Sequence, residues 1–287
     1  TVSAALVGIA SAASCGCGFD LPAALATVLL ACVAHAGANV LNDYHDARNG
    51  ADAANTEGLY PFTGGSRLIQ QGQVSEADTR RWAAMLLLLL IPAGLLLAAR
   101  NGGGGLLLVG AAGLLIAWAY SAPPLKLMSR GLGELAIAAA WWLVVIGADY
   151  VQRGQFFLIP ASLGFSVATL VACVLLINGV PDAAADSRVG KRTLAVRLGA
   201  RGAAALYLWL VLLAHGWLAL SVWLLIPPLT ALWVLLSLPL SLAAAALFWR
   251  HARQPHRLRP AIALTIAAAN VHALAIAAAL ALAAAAR

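Results

Sequence analysis

Long charge-free stretches recur along this chain. From Leu21 it runs LPAALATVLLACVAHAGA without a single ionised side chain, and comparable runs follow at short intervals. A helix that crosses a bilayer needs roughly 20 mainly apolar residues, because in hydrocarbon its backbone polar groups must be satisfied internally. Nine such spans are expected, at about 2–18, 21–42, 82–99, 104–121, 133–152, 156–178, 203–226, 229–249 and 260–285. The fold expected is therefore all-α: a polytopic membrane protein with nine transmembrane helices, forming one domain over residues 1–287. With 62% hydrophobic and only 10% charged residues, the chain leaves no room for a soluble module. The first stretch opens on Thr1 with no basic residues ahead of it, so it reads as a span and not a signal peptide. The four cysteines, Cys15, Cys17, Cys32 and Cys173, lie in apolar spans and read as small buried side chains, with neither a disulfide framework nor a zinc spacing.

The few charges are unevenly placed. The loops after the second, fourth, sixth and eighth spans hold 15 of the 18 basic residues. The positive-inside rule puts those loops, and the N-terminus, in the cytoplasm of a bacterial-type membrane. The net charge of +7 follows from that topology and from an anionic ligand or leaflet; nucleic acid has no soluble basic domain to bind.

Five of the 11 acidic residues fall in two clusters at cytoplasmic span ends. NVLNDYHDARNGAD carries Asn42, Asp43, Asp46 and, beyond the Gly50 turn, Asp52; NGVPDAAAD carries Asn178, Asp182 and Asp186. Residues spaced i, i+4 and i+8 share one helix face, as Asn178, Asp182 and Asp186 do. Ionisable groups at membrane depth face the interior and need a partner. Carboxylates sharing one cavity repel unless cations join them, and Asp and Asn oxygens suit Mg²⁺. Mg²⁺ completes its shell with phosphate oxygens, so two acidic walls at one membrane face suggest a diphosphate held between metal ions. Asp52 is expected at the margin of that set, because the Gly50 turn carries it outward. The two lysines, Lys126 in YSAPPLKLMSR and Lys191 in DSRVGKRTLAVRLG, lie in cytoplasmic loops with Arg192, as does Arg67 in TGGSRLIQQG. These cations suit a phosphate. Asn270 and His272 in the last span read as interhelical hydrogen bonds, and His35 as a structural histidine. His45 has no assigned role. Glu134 suits a helix N-terminus, and Asp149 at the far end of that span is expected to be structural. A weak echo between the two Asp motifs suggests two four-helix halves and a ninth helix.

At these residues the chain resembles the UbiA superfamily of intramembrane prenyltransferases. NDYHDARNGAD looks like its first Asp-rich motif, NGVPDAAADSRVGKRTLAVRLG like its second, and YSAPPLK like the loop between its fourth and fifth helices. The resemblance implies a nine-helix bundle around a cytoplasm-facing cavity, two Mg²⁺ ions and a prenyl diphosphate donor. The first motif matches NDxxDxxxGxD at Asn42, Asp43, Asp46, Gly50 and Asp52, a pattern similar to the menaquinone-pathway branch, the dihydroxynaphthoate prenyltransferases. The ubiquinone-type pattern has an Asp where Gly50 stands. The resemblance implies that Asn42, Asp43, Asp46, Asn178, Asp182 and Asp186 hold metal and that Lys126, Lys191 and Arg192 serve the diphosphate. Arg67 is expected to meet the acceptor's carboxylate or pyrophosphate, and Tyr120 an allylic cation. The partners implied are prenyl diphosphate, an aromatic acceptor and membrane lipid. A secondary transporter also carries intramembrane acids, but near the midplane on broken helices; here they sit at helix ends beside cationic loops.

Overall fold

The computed structural model describes residues 1–16, 18–101 and 103–285, and among them there are helices and no strands. The order is α1 (Val2–Ala13), α2 (Leu21–Asn49), α3 (Ala51–Ala54), α4 (Glu76–Arg100), α5 (Gly104–Ser121), α6 (Gly133–Arg153), α7 (Leu158–Arg188), α8 (Leu194–Trp223), α9 (Leu238–His251) and α10 (Arg259–Ala285). A 3-10 stretch over Leu229–Ser237 leads into α9 and completes that span. Eight segments of the described residues are long and apolar enough to cross a membrane. The expected ninth, over about 2–18, is a 12-residue helix, roughly 18 Å long and short of a bilayer core.

Two expected boundaries shift toward the acidic motifs. The second span does not stop at residue 42: α2 continues to Asn49 and ends where Gly50 takes a left-handed φ of 82°. The sixth span likewise runs on to Arg188, through Pro181. Both Asp clusters ride on these helices, in keeping with the shared helix face expected for Asn178, Asp182 and Asp186. α8 starts early, at Leu194, because a short first segment joins the span across Gly199, whose φ of 65° and ψ of 170° are not helical. Ends are capped by short polar side chains. Asp20 accepts from the Ala23 N–H at 3.0 Å, and Ser75 from the Asp78 N–H at 3.0 Å.

Packing is uneven. Leu176, Ile177, Tyr207, Phe248 and Ile262 form one fully buried cluster joining α7, α8, α9 and α10. Val7, Val145, Leu163, Leu218 and Ile276 form another around α1, α6, α7, α8 and α10. α4 and α5 instead expose Leu88, Leu96, Leu108 and Leu115, which suits helices that face acyl chains. Polar side chains tie the packed half together. His272 Nε2 meets Ser166 Oγ at 3.0 Å, its Nδ1 meets Ser237 Oγ at 3.0 Å, and His215 Nε2 meets the same hydroxyl at 3.1 Å. Asn270 accepts from Ser3 Oγ at 2.9 Å, so both α10 side chains bond across helices as the sequence suggested. His35 bonds Thr1 Oγ1 at 2.7 Å and lies edge-on to Trp141. Asp149 pairs with Arg153, whose Nε donates at 3.0 Å, and Glu134 sits in the first turn of α6.

The cysteines need a correction. Cys32 and Cys173 are free thiols, but Cys15 is disulfide-bonded, against the expectation of four small buried side chains. Cys17 lies outside the described residues.

Candidate active site

The end of α2 supplies Asn42, Asp43 and Asp46; α3 supplies Asp52; the last turns of α7 supply Asn178, Asp182 and Asp186. The two walls meet through a single ammonium. Lys191 Nζ donates to Asp46 Oδ1 at 3.0 Å and lies 3.0 Å from Asp186 Oδ1. All three residues are buried, at 5–7% exposure, which in a low-dielectric site demands just such pairing. Asp46 also accepts from Asn42 Nδ2 and Asn49 Nδ2, each at 3.1 Å.

The chain between α3 and α4 folds over both walls. Asn55 Nδ2 donates to Asp182 Oδ1 at 2.7 Å and the Gly64 N–H to Asp182 Oδ2 at 3.3 Å. Gln70 Nε2 donates to Asp52 Oδ2 at 3.3 Å, while Asp43 bonds Ser66. Gly65 passes so close that a Cβ there would lie 2.9 Å from Asp52 Oδ1, and its φ of 70° is one that side chains rarely adopt. Arg67 Nη1 donates to the Asn55 carbonyl at 2.8 Å and so steadies the residue that reaches Asp182. The sequence reading passed over Asn55 and Gln70. Each is one polar residue among many in the loop between α3 and α4, with nothing in the sequence to set it apart.

Electrostatics follow from crowding. Burial, then the nearby charges of Asp46 and Asp43, push the Asp52 carboxyl up to about 7. Burial works to lower the Lys191 pKa, but the attraction of Asp46 and Asp186 outweighs it and the ammonium is held above its ordinary value.

The donor set fits a hard cation. Asn42 Oδ1, Asn55 Oδ1 and Asn178 Oδ1 are buried and have no hydrogen-bond partner, an arrangement that is costly unless something accepts their lone pairs. Three orphaned amide oxygens beside carboxylates make an all-oxygen site, the chemistry Mg²⁺ prefers. Among the described residues no three His, Cys, Asp or Glu side chains converge into a cage of their own.

Around this centre stand the other expected residues. Tyr120, half-buried at the end of α5, lies within the electrostatic reach of Asp46, Asp186 and Glu134. Lys126 is exposed, with a φ of 44°, and its charge reaches His45. Arg192 is exposed, and its N–H donates to Ser129 O at 2.9 Å, tying the second motif to the loop that bears Lys126. Lys191, by contrast, is buried and engaged by the carboxylates. Between α2, α4, α5 and α6 lies an apolar cavity of about 430 Å³, lined among others by Ala34, Leu87, Gly110, Leu114 and Val144. Its α5 wall reaches Ala117, within one turn of Tyr120.

A model of the UbiA prenyltransferase family matches residues 1–272. The chain belongs to that family. A 1,4-dihydroxy-2-naphthoate octaprenyltransferase of Haemophilus influenzae is 30% identical over 250 residues, 83% of this chain and 76% of the relative. The Bacillus subtilis protein of the same name is 26% identical over 60% of this chain, and the matched region spans only 56% of its length. Dictyostelium discoideum contributes a UbiA prenyltransferase domain-containing protein 1, 31% identical over 38% of this chain and 34% of the relative. A digeranylgeranylglyceryl phosphate synthase structure superposes with a TM-score of 0.67 at 18% identity, covering 98% of this chain and 94% of that one. The apo structure of a UbiA homolog from Aeropyrum pernix K1 gives 0.66, again at 18% identity, covering 96% and 95%. The UbiA fold and the multi-pass membrane character of the chain rest on these matches together with its apolar helices.

Proposed function

We propose that this UbiA-family chain transfers a polyprenyl group from a prenyl diphosphate to an aromatic acceptor, 1,4-dihydroxy-2-naphthoate, in menaquinone biosynthesis. The observation that carries the reading is the meeting of the two Asp motifs across Lys191, beside three unpartnered amide oxygens. The acceptor is suggested by the names of several relatives and by the NDxxDxxxGxD motif. Residues 1–287 act as one domain, in a cytoplasmic membrane, with the site on the cytoplasmic side where the basic loops gather.

Asn42, Asp43, Asp46, Asn178, Asp182 and Asp186 would hold two Mg²⁺ ions, with Asp52 and Asn55 at the margin. Metal held by these residues would supply the positive charge that offsets the departing pyrophosphate. Lys126 and Arg192, both exposed, bind the phosphate oxygens. The allylic C–O bond breaks with its electron pair on the leaving oxygen, and the Tyr120 ring steadies the resulting cation from one face. The cavity beside α5 takes the apolar tail and keeps water away from the cation. The acceptor's carboxyl-bearing ring carbon attacks, a C–C bond forms, and CO₂ leaves, returning its bonding pair to the ring. Arg67 holds the acceptor's acid group until that loss. A transporter reading is disfavoured by the acids' position in the last turns of α2 and α7, not on broken helices at the midplane. Purified protein given Mg²⁺, a polyprenyl diphosphate and competing aromatic acids tests the proposal. Prenylated naphthoquinol is expected; product from hydroxybenzoate or homogentisate alone would overturn the acceptor and keep the family chemistry.

A further inference from the structure

The buried ammonium of Lys191 sits in the cluster to which the proposed function assigns metal. Asp46 and Asp186 come from helices far apart in sequence, yet the same Nζ reaches both at 3.0 Å. Asp46 already accepts three hydrogen bonds: Oδ1 takes Lys191 and Asn49, and Oδ2 takes Asn42. The amide oxygens of Asn42, Asn55 and Asn178 meanwhile find nothing. The ammonium turns to the carboxylates and does not reach those carbonyls, whereas a hard metal ion can be bound by carboxylate and amide oxygens alike.

We propose that Lys191 is an exchangeable counter-ion, clamping the two acidic walls in the metal-free enzyme and vacating them when Mg²⁺ binds. The inference rests on the metal reading above. An ammonium and a divalent ion repel strongly at such distances, so they do not share Asp46 Oδ1. The backbone need not move for the exchange. The Lys191 N–H is fixed to Asp186 O and the Arg192 N–H to Ser129 O, both at 2.9 Å. Motion is left to the four-carbon stem, whose flexible point charge can turn from the carboxylates to an incoming phosphate. Lys191 is thereby a positioning residue: it keeps α2 and α7 at a spacing a metal can enter, without leaving buried like charges face to face.

The composition makes a direct test possible, because the chain has only two lysines. Purified wild-type protein in detergent is treated with an amine-acylating reagent, in EDTA or in Mg²⁺, and modification at each lysine is followed by peptide mass spectrometry. Lys126, exposed, is the internal reference. Lys191 is expected to react slowly in EDTA and on the order of tenfold faster in Mg²⁺, with Lys126 unchanged. Thermal melting in the same buffers reports metal binding independently of activity. If Mg²⁺ raises the melting temperature while Lys191 stays equally protected, the exchange is overturned and the metal reading stands. If Mg²⁺ has no effect on melting, the metal reading falls and the exchange with it. Lys191→Met gives a second arm: its metal-free melting temperature should drop, and its midpoint for stabilisation by Mg²⁺ should move about tenfold lower. An unchanged or higher midpoint in a folded variant contradicts the proposal.

Discussion

At the scale of single residues, the site is a problem of crowded carboxylates. Asp46 and Asp182 come from different helices and are bonded by different parts of the chain. If both serve a diphosphate, Asp46→Ala and Asp182→Ala should each lower turnover by at least about 100-fold in folded protein, as expected for loss of a main electrostatic element. Steady-state rates with melting curves check this. Asp52 gives a pH signature. Its carboxyl is raised to about 7 in the folded chain, against an ordinary value near 4. Between those values the native state binds the extra proton, so stability falls as pH rises from about 4 to about 7. Metal-free wild type should lose melting temperature across that window, and Asp52→Asn should lose distinctly less. These residues were legible because their type and spacing carry chemistry on their own. Asn55 was not: an asparagine in a loop gains meaning only when folding brings it 2.7 Å from Asp182.

At the scale of elements, hydrophobic runs locate helices well and their ends poorly. The apolar run ahead of Asn42 stops, but α2 does not, because only Gly50 ends it. The continuation of α7 past Pro181 agrees with the single helix face expected for Asn178, Asp182 and Asp186, while its end at Arg188 lies beyond the apolar run that located the span. α1 was expected longer than its 12 residues, since apolar composition alone does not mark where Ala13 hands over to the turn. The disulfide at Cys15 was also illegible, as cysteines in an apolar stretch resemble packing residues. The segment between α3 and α4 lies over both walls, held there through Asn55, Gly64 and Gln70. Asn55→Ala should cost about 1–3 kcal/mol of stability by stranding part of Asp182. It should also raise the KM for the prenyl diphosphate more than the KM for the acceptor. Melting and two-substrate kinetics measure both, and an unchanged donor KM would separate this segment from the diphosphate.

For the whole molecule, the packed half formed by α7 to α10 acts as a frame, and α4 and α5 stand off it to leave an apolar cavity beside the site. On the proposed function, membrane residence follows from that arrangement: a long isoprenoid tail would lie among apolar helices while its diphosphate stayed at the cationic face. The charge asymmetry of the loops was readable from the chain, and so was the family, through paired motifs that few other membrane proteins need. How the motifs close on each other was not, because the Lys191 contact joins residues 145 positions apart. The most direct measurement is Mg²⁺-dependent pyrophosphate release from a polyprenyl diphosphate by the purified chain, with dihydroxynaphthoate present or absent. Release should require Mg²⁺, rise with the acceptor and match prenylated product one for one. Release that ignores Mg²⁺, or none in folded protein, would contradict the assignment of the paired Asp motifs to a diphosphate.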